Sequence, residues 1–189
     1  NGAGKSTLLR CLDGILAPTH GEVFLDGQPI RRPGPRVAYV PQRSDVDWKF
    51  PISVHDVALM GRALRANRLF PVPDRDREDA LAALDQVRMR RFGPVQIGAL
   101  SGGQQQRVFI ARALLQEADV FLLDEPFSRV DAPTQALVLK VLDDLRLAGK
   151  TIVFATHDLA MAEAFAKIER DVQPLGRRQP GECPLKIDL

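Results

Sequence analysis

No apolar run in this sequence approaches the length of a membrane span, and no signal peptide opens it. Any membrane role is therefore expected to come through a partner. Cysteine is nearly absent too: Cys11 and Cys183 stand far apart and outside any metal-ligand spacing. A structural disulfide is not expected, and a reducing compartment is the simpler reading. Neither sign of charge is in excess, with Lys+Arg 26 against Asp+Glu 24 and a net charge of +2. That balance makes no electrostatic case for nucleic acid, and no nucleic-acid partner is expected. Histidine occurs three times. His20 lies in a Pro-Thr-His-Gly turn and His55 in a helical pattern, and neither is given a role.

What is present suffices for one substantial core: 189 residues, 45% of them hydrophobic. The chain opens Asn1-Gly2-Ala3-Gly4-Lys5-Ser6-Thr7, with neither Met nor strand ahead of it, and reads as a fragment. Leu8, Leu9, Leu12 and Ile15 follow at helical spacing, ended by Gly14, Pro18 and Gly21. Val23–Leu25 and Val37–Val40 read as short strands, the first closed by an Asp26-Gly27 turn. From Asp45 to Ala99 helical patterns replace strands, at 54–64 and 74–88, with a loop over 67–73. Helices are expected over 104–116 and 134–147 and after 155, and buried strands over 120–123 and 151–155. Strands alternating with helices imply an α/β fold with a mainly parallel sheet. The tail from Pro174 to Leu189 shows no clear periodicity.

Five segments carry chemistry. Gly4-Lys5-Ser6 ends the pattern G-x-x-x-x-G-K-[ST], whose first Gly would precede Asn1. Glycines let backbone N–H groups approach phosphate oxygens, Lys5 offsets their charge, and Ser6 offers a hydroxyl to Mg²⁺. A Gly-rich turn capping an ordinary helix is the plainer alternative. Leu100-Ser101-Gly102-Gly103-Gln104 is the most specific motif. Ser101 and Gln104 fit an S-x-x-Q capping box, and paired glycines at a helix start also make an anion site. Asp124 and Glu125 stand at the carboxyl end of a buried strand, where open α/β sheets bind ligands. Asp124 is suited to Mg²⁺ and Glu125 to polarising a water as general base; an acidic strand-end turn is the alternative. His157 follows the strand 151–155 at the same sheet edge, and Gln42 follows the strand 37–40 just before the helical insertion.

Taken in chain order, phosphate loop, Gln42, helical subdomain, Leu100–Gln104, Val120–Glu125, Ser128–Asp131 and His157, the segments resemble the ABC-transporter ATPases, a P-loop NTPase fold with an inserted helical subdomain, up to about Ala166. The resemblance implies binding of ATP and Mg²⁺ and a head-to-tail dimer. Each ATP would meet Asn1–Thr7 of one chain and Ser101, Gly102, Gly103 and Gln104 of the other, with Asp131 communicating across the dimer. It implies Glu125, His157 and Gln42 as catalytic residues and Ser6, Gln42 and Asp124 as Mg²⁺ ligands. The expected organisation is a partial ATP-binding core over 1–44, a helical subdomain over 45–99, the signature helix and remaining core over 100–168, and a divergent tail over 169–189.

Tyr39–Ser44, Val46–Pro51, Asp56–Arg62 and Asp124–Ala132 further resemble the manganese, zinc and iron importers. Arg129 departs from that group, which usually has Gly there. The implied partners are a second ATP-binding subunit, a transmembrane permease and, indirectly, a metal-binding extracytoplasmic protein. The implied place is the cytoplasmic face of the plasma (inner) membrane. Two alternatives stay open: a nucleotide-binding module with little turnover, and an ABC ATPase for another substrate. Trp48 and Phe50 read as subdomain core or permease contact rather than ligand.

Overall fold

The computed structural model describes residues 4–66, 72–128, 130–158, 161–163, 165 and 185–188, with side chains of 64–66 and 185–188 left aside. Three parallel strands form its centre: β3 (Val37–Val40), β4 (Val120–Asp124) and β5 (Thr151–Ala155), in the order β3-β4-β5. Val40 stands opposite Leu123, and Leu123 opposite Phe154. The unbroken apolar run of β4 follows from burial on both faces. Val120 and Leu122 pack with Leu9 and Leu12 of α1 (Lys5–Asp13) and with Val23 and Leu25 of β1 (Glu22–Leu25). Phe121 and Leu123 point the other way, into the larger core.

That larger core is mostly helical. It draws on α2 (Val54–Ala66), α3 (Asp74–Gln86), α4 (Gly102–Leu115) and α5 (Ala132–Leu147). Gly61 lets α2 press against α4 so closely that a Cβ there would sit 2.2 Å from the Arg112 carbonyl oxygen. Arg62 ties the group at its rim, donating to Asp79 of α3 at 2.7 Å and to Glu117, just past α4, at 2.8 Å. Trp48 packs on the same core, edge-to-face with Phe109 at 5.2 Å, whereas Phe50 is 60% exposed.

One expectation needs correcting. β5 is half-exposed along its length rather than buried, because among the described residues it pairs on one edge only. The tail, whose sequence shows no clear periodicity, nonetheless contains β6 (Leu185–Asp188), antiparallel to β1. β1 pairs on its other side with β2 (Gln28–Pro29), giving the order β2-β1-β6. The turn between β1 and β2 has φ of 49° at Asp26 and 75° at Gly27, the left-handed pair that a tight hairpin requires. The loop expected at 67–73 lies largely outside the described residues, as do Arg129 and most of the helix expected after 155.

Candidate functional site

The carboxyl ends of β3, β4 and β5 open on one cleft of about 800 Å³. Gln42, Glu125 and His157 all line it, so three residues far apart in the sequence converge as their strand-end positions suggest. His157 Nδ1 and Glu125 Oε2 are 2.6 Å apart. The Glu125 side chain is 7% exposed and the His157 ring 67%. The carboxylate thus sits at the bottom of the contact and the imidazole at its mouth. An ionised carboxylate only accepts, so the proton in this bond lies on Nδ1.

Backbone geometry aims Glu125. Its φ is +52°, a left-handed conformation rare for a residue with a Cβ. Its N–H donates to the Ala155 carbonyl at 2.8 Å, extending the β4–β5 ladder by one residue. The chain is held by β5 up to Glu125 and then turns sharply into Pro126.

Asp124 is only 1% exposed, and its Oδ1 has no hydrogen-bond partner among the described residues. A carboxylate oxygen left dry and unpaired is costly, and a cation would satisfy it. The residue therefore fits the expected Mg²⁺ ligand. Its other oxygen lies 3.5 Å from the Tyr39 hydroxyl, and burial pushes that phenol up, so it remains protonated and able to donate.

The phosphate-loop residues occupy a different position. Gly4 has φ +77° and N-caps α1, with Lys5 and Ser6 half-buried in its first turn and Thr7 exposed. α1 packs on β3 and β4 through Leu9 and Leu12. Gly4–Thr7 do not line the Gln42–Glu125–His157 cleft, and Asn1, Gly2 and Ala3 lie outside the described residues.

At α4 the S-x-x-Q capping box is complete. The Ser101 N–H donates to Gln104 Oε1 at 2.8 Å, and the Gln104 N–H to Ser101 Oγ at 3.4 Å. Gly102 and Gly103 are closely packed. A Cβ on Gly102 would lie 3.1 Å from the Arg43 guanidinium, and one on Gly103 would lie 3.2 Å from Thr134 Oγ1 and 3.4 Å from Asp131 Oδ1. Asp131 N-caps α5, and the neighbouring Thr134 hydroxyl holds its carboxyl below the usual range.

Sequence reasoning passes over the link between Gln42 and α4. Arg43 Nε donates to Gln105 Oε1 at 2.9 Å, Gln105 Nε2 donates to the Ile97 carbonyl at 3.1 Å, and Trp48 Nε1 donates to the Arg43 carbonyl at 2.8 Å. Gln106 also lines the cleft, with a buried Nε2 that has no partner among the described residues. The Arg and Trp of the run Gln42–Trp48 carried a hint of contact, but only the fold shows their partners.

Comparison with known proteins gives the family and the fold. Residues 1–128 match the family described as ABC transporter. A manganese transport system ATP-binding protein of Listeria innocua is 47% identical over 87% of this chain and 69% of its own length. A zinc transport system ATP-binding protein of Treponema pallidum is 47% identical over 89% of this chain and 64% of its own. The chain thus spans about two thirds of these relatives. Among solved structures, an inward-facing ABC transporter described as of metal-chelate type has TM-score 0.72 and 36% identity, over 87% of this chain and 62% of that one. A dimeric ATP-binding cassette bound to ADP and Pi has TM-score 0.72 and 29% identity, over 85% of this chain and 73% of that one. On its fold and on the match over residues 1–128, this chain belongs to the ABC transporter family.

Proposed function

We propose that the chain is the ATP-hydrolysing subunit of an importer for manganese, zinc or iron. The Glu125–His157 contact at 2.6 Å, in the cleft that Gln42 shares, carries this reading. In it the triphosphate of ATP rests on Asn1–Thr7 at the positive end of α1, with Lys5 offsetting phosphate charge. Ser6, Gln42 and Asp124 hold Mg²⁺, which when bound neutralises charge on the β- and γ-phosphates. Glu125 takes the proton of the attacking water. His157 holds the carboxylate through Nδ1 and keeps its exposed edge toward the γ-phosphate.

Residues 1–44 and 100–168 act as the ATP-binding core in this proposal, and 45–99 as the helical subdomain. Ser101, Gly102, Gly103 and Gln104 face the ATP of a second such chain, and Asp131 sits at the seam. A permease docks near Gln42 and exposed Phe50, placing the chain on the cytoplasmic face of the membrane. A metal-binding extracytoplasmic protein serves the same system. The names of the manganese and zinc relatives support the cargo, and the ADP- and Pi-bound dimer supports the pairing. No helix among the described residues is long and apolar enough to cross a membrane, in keeping with a permease partner.

Glu125→Gln tests the chemistry. The variant retains ATP binding and loses turnover by roughly 10²–10⁴, the usual weight of a general base. Retention of near-normal turnover would remove Glu125 from that role.

A further inference from the structure

A second cleft, of about 850 Å³, reaches α4 at Gln104 and Arg107, whereas the Glu125 cleft reaches it at Gln106. Four arginines line it, Arg88, Arg90, Arg91 and Arg107, with Gln104 and Asp85. Among the described residues none of the four guanidiniums forms a salt bridge, whereas Arg62, Arg75 and Arg146 nearby all do. Arg107 Nε is buried and has no hydrogen-bond partner among the described residues. Burial pushes the Arg107 guanidinium down, Asp131 opposes that, and the charges of Arg88 and Arg91 add to it. These side chains therefore feel one another as like charges.

The local backbone keeps them together. Arg88 has φ +57°, a left-handed conformation that a glycine would adopt without strain. The Met89 N–H donates to the Leu84 carbonyl at 2.7 Å, and buried Met89 anchors the segment between Arg88 and Arg90. The Arg91 guanidinium carbon lies over the Phe92 ring, 4.8 Å from its centroid, and its N–H donors are uncommitted among the described residues. Four guanidiniums against the single lining carboxylate of Asp85, on a left-handed turn and around an orphaned donor, leave an excess of positive charge that an anion would offset.

We propose that this cleft binds a small anion bearing two or more phosphate groups, held by Arg88, Arg90, Arg91 and Arg107. Tetrahedral phosphate oxygens match the bidentate fork of guanidinium, and a single carboxylate would leave most of the donors unused. Gln104 lines the same cleft while its Oε1 accepts the Ser101 N–H, so an occupant would touch the capping box of α4 directly. The site does not depend on the ATPase reading, because none of its arginines belongs to the proposed catalytic set.

Titration calorimetry with inorganic pyrophosphate tests it. The full chain carries Lys5→Ala, to silence the phosphate loop, with and without Arg88→Gly and Arg91→Gln. Glycine accepts φ +57°, so the first change removes charge without disturbing the turn; Arg90→Gln alone serves as the second probe. Pyrophosphate should bind the Lys5→Ala chain, more weakly as salt rises, and lose about tenfold or more in affinity in the arginine variants. No binding to Lys5→Ala, or binding unmoved by either arginine variant, overturns the site. Vesicles containing phosphatidylinositol 4-phosphate, whose headgroup carries two phosphates, form a second arm. Arginine-dependent vesicle binding assigns the phosphate to a lipid headgroup, and pyrophosphate binding without vesicle binding assigns it to a soluble ligand. ATP turnover of Arg88→Gly/Arg91→Gln without pyrophosphate stays at the parent level and reports separately on the catalytic reading.

Discussion

Asp13, the last residue of α1, is only 5% exposed, and burial raises its carboxyl from 3.8 to about 7 against the opposing charge of Arg112. An ionised Asp there also meets the negative end of its own helix. Its folded value lies above its unfolded one, so the unfolded chain loses the proton first. Stability is then full below about pH 4, falls as pH rises toward 7, and is flat beyond. At about 1.4 kcal/mol per pH unit between the two values, the ionised group costs the fold on the order of 4 kcal/mol above neutrality. Asp13→Asn keeps the shape and removes the titration. It should stabilise the chain by about 1–2 kcal/mol at pH 5 and about 3–4 kcal/mol at pH 8. Urea unfolding of both proteins at the two pH values measures this, and groups common to both cancel in the difference. An offset equal at pH 5 and pH 8, or a less stable variant at pH 8, would refute a buried, proton-holding Asp13. ATP binding should be unchanged at either pH, since the phosphate loop is at the opposite end of α1.

Gly61→Ala should lower the unfolding midpoint despite its better helix propensity. Its Cβ would sit 2.2 Å from the Arg112 carbonyl, and overpacking of about 1–3 kcal/mol exceeds the roughly 1 kcal/mol gained from propensity. Thermal unfolding followed by circular dichroism checks the sign. Ser101→Arg should leave ATP binding to the isolated chain intact and abolish ATP-dependent dimerisation in Glu125→Gln, seen by sedimentation. Unchanged dimerisation would mean that Ser101 faces no second nucleotide.

Much of the site was legible before any fold was known, because its chemistry sits where chain direction alone puts it. The apolar run 120–123 reads as a strand buried on both faces, and the two carboxylates after it must then emerge at the carboxyl edge. The strand before His157 runs parallel, which brings the imidazole to the same edge. The capping box of α4 is a four-residue pattern and needs no tertiary partner to be recognised. By contrast, β6 pairs across more than 150 residues with β1, and nothing in the tail's own pattern announces it. The link from Arg43 to Gln105 joins residues 62 apart and is equally silent in sequence.

The sequence by itself determined the α/β class, the order of the chemical segments and three residues, Gln42, Glu125 and His157, that converge on one cleft. These follow from local patterns: periodicity, capping and strand ends. Tertiary structure alone decided that Asp13 is buried, that an Asp124 oxygen has no hydrogen-bond partner among the described residues, and that four arginines share a cleft beside α4. Burial and unpaired charge are properties of what surrounds a side chain in space, and residues distant in the chain supply those surroundings only after packing.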